Sequence, residues 1–249
     1  MSIDVVDLRD FYANRLGTVA RHFIGRGIRR RWGDVRGLRV LGFGYATPYL
    51  GLFREEAERC IAFMPAAQGV VKWPRAHPAL TALVEELDLP LPDAAVDRVL
   101  MVHGLEMSQD ATALLREIWR VLSAGGQLLA VVPNRRGLWA RMDTTPFGHG
   151  RPYSRSQITH LLREAWFTPV AWGEALYVPP IPRGWFLRSA VAWERAGATI
   201  SAPFAGVHIV EATKQVYRAI PARREKRRLL PALEPALAPS PGGTARQGP

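Results

Sequence analysis

Residues 96–134 constrain the fold more than any other part of the sequence. A short apolar run at residues 96–102 is followed by a stretch with apolar residues at helical spacing, a Gly125-Gly126 turn and a second apolar run at residues 127–132. The helical stretch carries Leu114, Leu115, Ile118 and Val121. The order strand, helix, strand is typical of a crossover between two parallel strands that are buried on both faces. The sequence therefore predicts an α/β fold with parallel strands.

The same region carries a series of spaced motifs. They are Leu89-Pro90-Leu91-Pro92-Asp93, Val96-Asp97, Leu105-Glu106-Met107, Asp110, Leu115-Arg116-Glu117, Arg120-Val121-Leu122 and Gly125-Gly126. This pattern resembles the second half of a class I S-adenosylmethionine-dependent methyltransferase of the type-11 or UbiE-like group. The resemblance implies a Rossmann-like α/β fold with a mostly parallel seven-stranded sheet flanked by helices. It also implies S-adenosylmethionine as cofactor and methyl transfer to an acceptor that the sequence does not identify, although a shared fold does not fix chemistry.

We expect the chain to divide into three parts. Residues 1–35 form an N-terminal helical segment, since apolar residues recur at helical spacing over residues 4–31 as one helix weakened near Gly25 and Gly27. Residues 36–220 form the methyltransferase-like domain, and residues 221–249 form a basic tail rich in proline and alanine that we expect to be disordered. Further strands are predicted at residues 39–43, 59–64, 79–85, 167–174 and 207–212, and further helices at residues 155–165, capped by Ser154, and 185–196.

The resemblance also implies where the cofactor is held. Class I methyltransferases bind it at the carboxyl ends of their first strands, beside a loop of the form D-x-G-x-G-x-G in which glycine lets the backbone approach the ligand. Here the loop reads Gly42-Phe43-Gly44-Tyr45-Ala46-Thr47-Pro48 and keeps one of the three glycines, Gly44. About twenty residues further on, where an acidic residue would bind the ribose, this chain has Met64. Glu85, Glu86 and Asp88 follow the third strand as candidates for contact with the adenine.

Two interpretations of the loop remain open. In the first, it is a packed turn between strand and helix in a protein that has lost cofactor binding. In the second, it is a variant site in which Tyr45 and Thr47 supply hydroxyl groups and the backbone of Gly44 and Ala46 borders the ligand. On the second interpretation, the cofactor-binding residues are Gly42, Gly44, Tyr45, Ala46, Thr47, Met64, Glu86 and Asp88.

Two histidines are candidates for catalysis. His103 follows the fourth strand, and His149 lies between two glycines in an arm, residues 133–154, whose counterpart in related methyltransferases often lines the acceptor pocket. Methyl transfer depends mainly on orientation, and a base matters only when the acceptor must lose a proton. Either histidine could instead be structural. We predict that both face one cleft with Gly44, and that the acceptor is bound by Arg135, Arg151 and Tyr153.

The charge of the chain is unusual, with a formal net charge of +11. Arginines crowd residues 21–39, 135–163 and 223–228. Such clusters can bind nucleic acid or an anionic surface, or they can simply form a solvated surface; no aromatic motif of an RNA-binding domain accompanies them. An RNA-binding protein is therefore one alternative function, and a catalytically inactive scaffold or regulatory protein with the same fold is another.

Several other classes of protein lack support in the sequence. The single cysteine, Cys60, excludes an intramolecular disulfide and a zinc site built on cysteines. HExxH, GxSxG, Walker and CxxC motifs do not occur. No run approaches about 18 apolar residues, and acidic residues occupy the N-terminus where a signal peptide would be apolar, so we expect no membrane span and a cytoplasmic protein. The oligomeric state and the partners are not indicated.

Overall fold

The computed structural model describes residues 3–182, 189–190, 192–194, 197, 204–215 and 248. The predicted basic tail, apart from residue 248, and most of the predicted helix at residues 185–196 therefore lie outside the described residues.

A seven-stranded sheet forms the centre of the protein. Its strands are β1 (Arg39–Gly44), β2 (Arg59–Pro65), β3 (Thr81–Val84), β4 (Val96–Val102), β5 (Leu122–Pro133), β6 (Phe167–Ala175) and β7 (Val207–Lys214). The order across the sheet is β3-β2-β1-β4-β5-β7-β6. The first five of these are parallel, whereas β7 runs antiparallel to both β5 and β6. The prediction of a Rossmann-like, mostly parallel sheet is confirmed.

Five α-helices with defined bounds flank the sheet in the described part of the chain. They are α1 (Val5–Ala13), α2 (Arg15–Arg31), α3 (Thr47–Leu50), α4 (Ala111–Val121) and α5 (Arg155–Glu164). Two 3₁₀ turns, Trp139–Arg141 and Pro146–Gly148, lie in the arm between β5 and α5. The expected cap of α5 is present, because Ser154 and Gln157 form a reciprocal capping box. None of the helices in the described part of the chain has the length and apolar character needed to span a membrane.

The N-terminal helical segment departs from the prediction of one helix that weakens near Gly25. The helix is broken at Asn14, whose backbone is extended and whose side chain accepts a hydrogen bond from Gly17 N at 2.8 Å. Asparagine is a good N-cap, so it begins a new helix here. The second helix then continues through both glycines to Arg31. Gly27 permits close packing, since a Cβ atom at this position would lie 2.4 Å from Ile209 Cδ1.

Strand β5 also begins earlier than predicted. Val96 pairs with Leu122 and Arg98 pairs with Gln127, so residues 123–126 bulge out of the ladder rather than preceding the strand as a turn. Gly125 has a φ of 73° and meets no atom that would oppose a Cβ. The glycine pair thus supplies the left-handed backbone of a bulge within the strand.

The core has two layers, one on each face of the sheet. Along β4, Leu100 and Val102 point to the layer formed with α1, α2 and α3, whereas Val99 and Met101 point to the layer formed with α4 and α5. This alternation is expected for a strand buried on both faces. The N-terminal helical segment therefore shares a hydrophobic core with the sheet.

A partly buried ion pair joins β1 to β4 and gives a testable pH dependence. Arg39 Nη2 donates to Asp97 Oδ1 at 2.9 Å, and Arg39 Nε and N both donate to Oδ2. These bonds lower the pKa of Asp97 from 3.8 to about 2. A lowered folded-state pKa stabilises the protein above the unfolded value, and this contribution is lost as the pH falls through the folded value.

Asp97→Asn is therefore expected to reduce the free energy of unfolding by about 1–2 kcal/mol at pH 7. The difference in the free energy of unfolding between the variant and the wild type should narrow as the pH falls from about 4 to about 2. Urea denaturation at several pH values measures it. The control is Asp34→Asn: Asp34 pairs with Arg36 and has a similarly lowered pKa, but both side chains are exposed, so solvent screens the pair. If Asp97→Asn and Asp34→Asn lowered the free energy of unfolding equally and with the same pH dependence, the prediction would be contradicted.

Candidate functional site

The strand order reverses between β1 and β4, and this switch point is where open α/β sheets bind ligands. Gly44 ends β1 with a φ of 73°, and Tyr45 N donates to Val102 O at 2.7 Å. A Cβ atom at Gly44 would lie 2.4 Å from the same carbonyl oxygen. The left-handed glycine therefore turns the loop directly over the end of β4.

The other residues of the loop are packed rather than open. A Cβ atom at Gly42 would lie 2.5 Å from Leu50 Cδ1, so the lack of a side chain at this position admits α3. Tyr45, Ala46 and Thr47 are buried. Burial raises the pKa of the Tyr45 phenol. The structure thus brings the predicted loop residues to the switch point, with their side chains inside the protein.

His103 lies on the opposite side of the switch point, immediately after β4. It is buried, and its φ of 51° is in the left-handed region that residues other than glycine rarely adopt. Its Nδ1 lies 3.1 Å from Oε1 of Glu106, which is also buried. Non-glycine residues held in this region cluster at functional sites because the conformation costs free energy. The switch point therefore combines a strained backbone with a buried imidazole–carboxylate pair.

A chain of hydrogen bonds assigns the protons of this cluster. Glu106 Oε1 accepts from His103 Nδ1, which leaves Nε2 of the neutral imidazole to accept from the Tyr12 hydroxyl, 2.9 Å away; Tyr49 Oη in turn donates to Tyr12 Oη at 3.1 Å. His103 then carries its proton on Nδ1 and donates it to Glu106. Burial, followed by the neighbouring Tyr49, raises the pKa of Tyr12 well above its usual value, so the phenol stays neutral. The imidazole is therefore held with Nε2 as an acceptor.

Helix α1 covers this edge of the sheet. The Tyr12 ring stacks on Tyr45 with centroids 5.6 Å apart. Val5 N donates to the Gln68 carbonyl at 2.8 Å, and Gln68 Nε2 donates to the His103 carbonyl at 3.0 Å. Gln68 Oε1 and Glu106 Oε2 are buried without a hydrogen-bond partner among the described residues. Two polar oxygens at the switch point are thus left without a donor beneath α1.

The residues predicted to contact the ribose and the adenine of the cofactor have different surroundings. Met64 lies near the end of β2 and is fully buried, with Sδ 3.4 Å from Val71 N. Glu86 is half-buried and accepts a hydrogen bond at 3.1 Å from Ser108, in the loop after β4. Asp88 is exposed in a turn that bridges back to Glu85. Of the acidic candidates, Glu86 is the one in contact with the loop that carries the His103–Glu106 pair.

The arm after β5 reaches the same edge through residues other than His149. The Phe147 ring lies 4.9 Å from the His103 ring, and Arg151 N donates to Glu106 O at 2.8 Å. The His149 side chain lies 2.8 Å from the Asp143 carbonyl. It lines a cavity of about 440 Å³ between α1 and the arm. The cavity wall includes Phe11, whose ring contacts Phe147 at 6.1 Å.

The predicted acceptor-binding residues are not gathered in that cavity. Arg135 is exposed. Arg151 lies over the Tyr153 ring at 5.7 Å, and both line a separate cavity of about 400 Å³ beside α4 and α5. Tyr153 is buried in the core layer of those helices. The structure therefore separates Arg151 and Tyr153 from the cavity that His149 lines.

Several arginines of the N-terminal cluster are used within the fold. Arg29 Nη1 donates to Glu56 at 3.0 Å, and Arg39 holds Asp97. Arg31 donates to the carbonyl of Trp172 in β6. Part of the basic cluster is therefore explained by ion pairs and by packing of α2 on the sheet. Among the described residues, no group of three or more His, Cys, Asp or Glu residues is arranged to hold a metal ion.

Sequence reasoning did not identify Tyr12 and Gln68 as residues of the site. Glu106 had been noted as part of a motif, but without a role. The spacing of His103 and Glu106 is a signal that could have been used, since residues three apart in a turn can meet. Tyr12 and Gln68 carry no comparable local signal, because each reaches the site only through tertiary packing.

Comparison with known proteins shows what the domain and the fold resemble. Residues 40–130 match a family model described as a methyltransferase domain. Among solved structures, a SAM-dependent methyltransferase of Thermotoga maritima has a TM-score of 0.60 and 15% identity over 85% of this chain and 96% of its own. A SAM-dependent methyltransferase of Archaeoglobus fulgidus has a TM-score of 0.58 and 15% identity over 78% of this chain and 94% of its own. The cyclase SpnF has a TM-score of 0.57 and 22% identity over 78% of this chain and 80% of its own.

A search of curated proteins gives no significant match. The similarity to a cyclase illustrates that this fold supports more than one chemistry. Residues 40–130 therefore carry a methyltransferase domain, and the described chain has the Rossmann-like fold of class I methyltransferases.

Proposed function

We propose that the protein is an S-adenosylmethionine-dependent methyltransferase whose site lies where β1 and β4 end. The methyltransferase domain and the fold support this class of activity. The observation that carries the location is the buried His103–Glu106 pair, held in left-handed backbone at the switch point. This pair lies within the matched domain and faces the Gly44 turn.

The polar atoms of this edge fit the cofactor. Its ribose hydroxyls and its amino groups are hydrogen-bond donors, and Gln68 Oε1 and Glu106 Oε2 are buried acceptors that lack a donor among the described residues. Glu86 offers a third acceptor at the end of β3. Met64 cannot accept two hydroxyl hydrogen bonds, so Gln68 would bind the ribose in its place. The roles of Gly44, Tyr45, Ala46 and Thr47 would be to border the ligand.

The chain's own residues define the chemistry at this edge. The cofactor, when bound, supplies a methyl group on a sulfonium. The protein supplies orientation and an environment that excludes water, which can account for most of the acceleration of a displacement reaction. When the acceptor must lose a proton, His103 takes it at Nε2. Glu106 accepts from Nδ1, fixes the tautomer and stabilises the resulting imidazolium.

The acceptor side of the proposed site is the cavity of about 440 Å³ that His149 lines. A volume of this size suits a small molecule or a side chain. The Phe147 ring links the two places, since it contacts both Phe11 of the cavity wall and His103. Arg135, Arg151 and Tyr153 remain predictions for a larger or anionic acceptor, since Arg151 and Tyr153 line the neighbouring cavity.

We expect S-adenosylhomocysteine to bind with a dissociation constant of about 10 µM to 1 mM, because an amide replaces the carboxylate that would bind the ribose. Gln68→Leu should weaken binding about three- to tenfold. Isothermal titration calorimetry measures both values, and Arg135→Ala, at an exposed position, is the control that should leave the affinity unchanged. Absence of binding heat at millimolar S-adenosylhomocysteine, in both the wild type and a Tyr12→Ala variant, would contradict the proposal and favour a non-catalytic scaffold.

A further inference from the structure

Helix α1 occupies the place at which a sheet of this type receives its ligand. Tyr12 stacks on Tyr45 after β1 and donates its hydroxyl to His103 after β4. It therefore bridges the two strand ends that define the switch point. The Tyr12 side chain is buried, and it contacts Tyr49 edge-on as well. A ligand that reaches His103 Nε2 must take the position of this phenol.

The contacts of Tyr12 resemble those that a nucleoside would make. A planar ring lies on Tyr45 at an interplanar angle of 26°, and a hydroxyl donor meets His103 Nε2. A nucleoside carries the same two features, a planar base and hydroxyl donors. It carries further donors as well, for which Gln68 Oε1 and Glu106 Oε2 are available. The side chain thus imitates part of a nucleoside and leaves two acceptors unused.

The attachment of α1 allows it to leave. The helix has nine residues, which is too short to be stable in isolation. Its order therefore depends on packing against the sheet edge and on the bond from Val5 N to the Gln68 carbonyl. Its outer face is exposed at Val6 and Asp10. The extended backbone of Asn14 separates it from α2 and provides a hinge.

We propose that α1 is a self-occluding lid, in which Tyr12 holds the place of the nucleoside part of the ligand until the ligand displaces it. This inference rests on the proposed function, because the displacing ligand is the S-adenosyl nucleoside. Displacement frees His103 Nε2 from the Tyr12 hydroxyl, so that the imidazole becomes available at the site. It also gives Gln68 Oε1 and Glu106 Oε2 donors that the closed state does not provide.

The lid links affinity to the stability of the closed state. When only the open state binds, the apparent dissociation constant equals the intrinsic value divided by the open fraction. A change that weakens the closed state without touching the ligand therefore tightens binding. Helix α1 also forms one wall of the cavity that His149 lines, through Asp7, Asp10 and Phe11, together with Ile3 and Asn14 at its ends. Its departure would join this cavity to the switch point, so that acceptor access and cofactor binding change together.

The test compares S-adenosylhomocysteine binding in three variants by calorimetry. Tyr12→Phe removes the hydroxyl and should tighten binding about two- to tenfold, the effect of one or two hydrogen bonds. Tyr12→Ala, the opened variant, removes the ring from the position proposed for the nucleoside and should tighten binding by more than about tenfold. Phe23→Ala truncates a ring of similar burial on α2; it controls for loss of core packing and should leave the affinity unchanged. Circular dichroism verifies that each variant is folded.

Amide hydrogen exchange supplies an independent readout. In the wild type, saturation with S-adenosylhomocysteine should accelerate exchange in residues 5–13 and leave α4 unchanged. Equal affinity for S-adenosylhomocysteine in all variants, or slower amide exchange in α1 on binding, would overturn the proposal that α1 is a lid. Either result would leave the proposed function intact. Failure of the wild type and of both Tyr12 variants to bind would overturn the proposed function itself. Tyr12→Phe keeps the test valid if Tyr12→Ala does not fold.

Discussion

Gly44→Ala is expected to lower the free energy of unfolding by about 2–5 kcal/mol. An alanine in left-handed backbone costs about 1–2 kcal/mol, and the φ of Gly44 is 73°. The new Cβ would also lie 2.4 Å from the Val102 carbonyl oxygen. Because that oxygen belongs to the backbone of a central strand, the clash can be relieved only by moving β1 away from β4, at a further cost of about 1–3 kcal/mol. Urea denaturation at neutral pH measures the loss.

Gly125→Ala is a matched control for this change. Gly125 has the same φ of 73°, but no atom lies within 4 Å of its virtual Cβ. Its replacement should therefore cost only the conformational part, about 1–2 kcal/mol. The difference between the two variants isolates the close approach at the switch point. Equal losses would mean that the Gly44 loop relaxes freely, and the close contact with β4 would then not govern the shape of the site.

Trp139→Ala is expected to be destabilising by about 3–5 kcal/mol, the usual cost of truncating a fully buried aromatic residue. Trp139 is the largest fully buried side chain among the described residues, and its Nε1 donates to the Val178 carbonyl at 2.8 Å. Its ring contacts Phe147 edge-on. The substitution therefore opens a cavity, leaves a buried carbonyl without its donor and removes the support of the arm that carries His149.

The melting temperature is expected to fall by about 6–20 °C, because each kcal/mol shifts it by about 2–4 °C in a domain of this size. Leu138→Ala is the control: the neighbouring side chain is 47% exposed, so the shift should be small. Differential scanning calorimetry measures both. A shift of less than about 3 °C for Trp139→Ala would show that the arm contributes little to stability, and that its contacts with His103 are formed independently of this tryptophan.

The sheet was predictable because its signals are local. Strands β4 and β5 each contain a short apolar run. The helix between them has apolar residues at helical spacing and Asp110 as its N-cap. The break at Asn14 was missed because the apolar spacing of α1 continues into α2. Only the hydrogen bond from Gly17 N, a matter of three-dimensional geometry, favours the cap over a continuous helix. The bulge of β5 was missed for a related reason, since a glycine pair can form either a turn or a bulge.

The candidate site was predictable only in outline. Gly44 and His103 were placed at one edge by the rule for parallel strands. Tyr12, in contrast, meets His103 across 91 residues of sequence, and nothing in the local sequence indicates that contact. Gly42 was interpreted through a cofactor motif, whereas its surroundings show that it makes room for Leu50. Local patterns identify elements and strand ends, but side chains that arrive from distant helices are determined by tertiary packing.

The position of β7 has a consequence for how the protein folds. This strand follows β6 in the sequence but lies between β5 and β6 in the sheet. Until β7 is inserted, β5 presents an unpaired hydrogen-bonding edge, and β6 has no neighbour in the sheet. Ile209 of β7 also meets Gly27 of α2, so the N-terminal helices cannot complete their packing earlier. During synthesis on the ribosome, the nascent sheet therefore stays open to strand pairing with other chains until residues 207–214 have emerged.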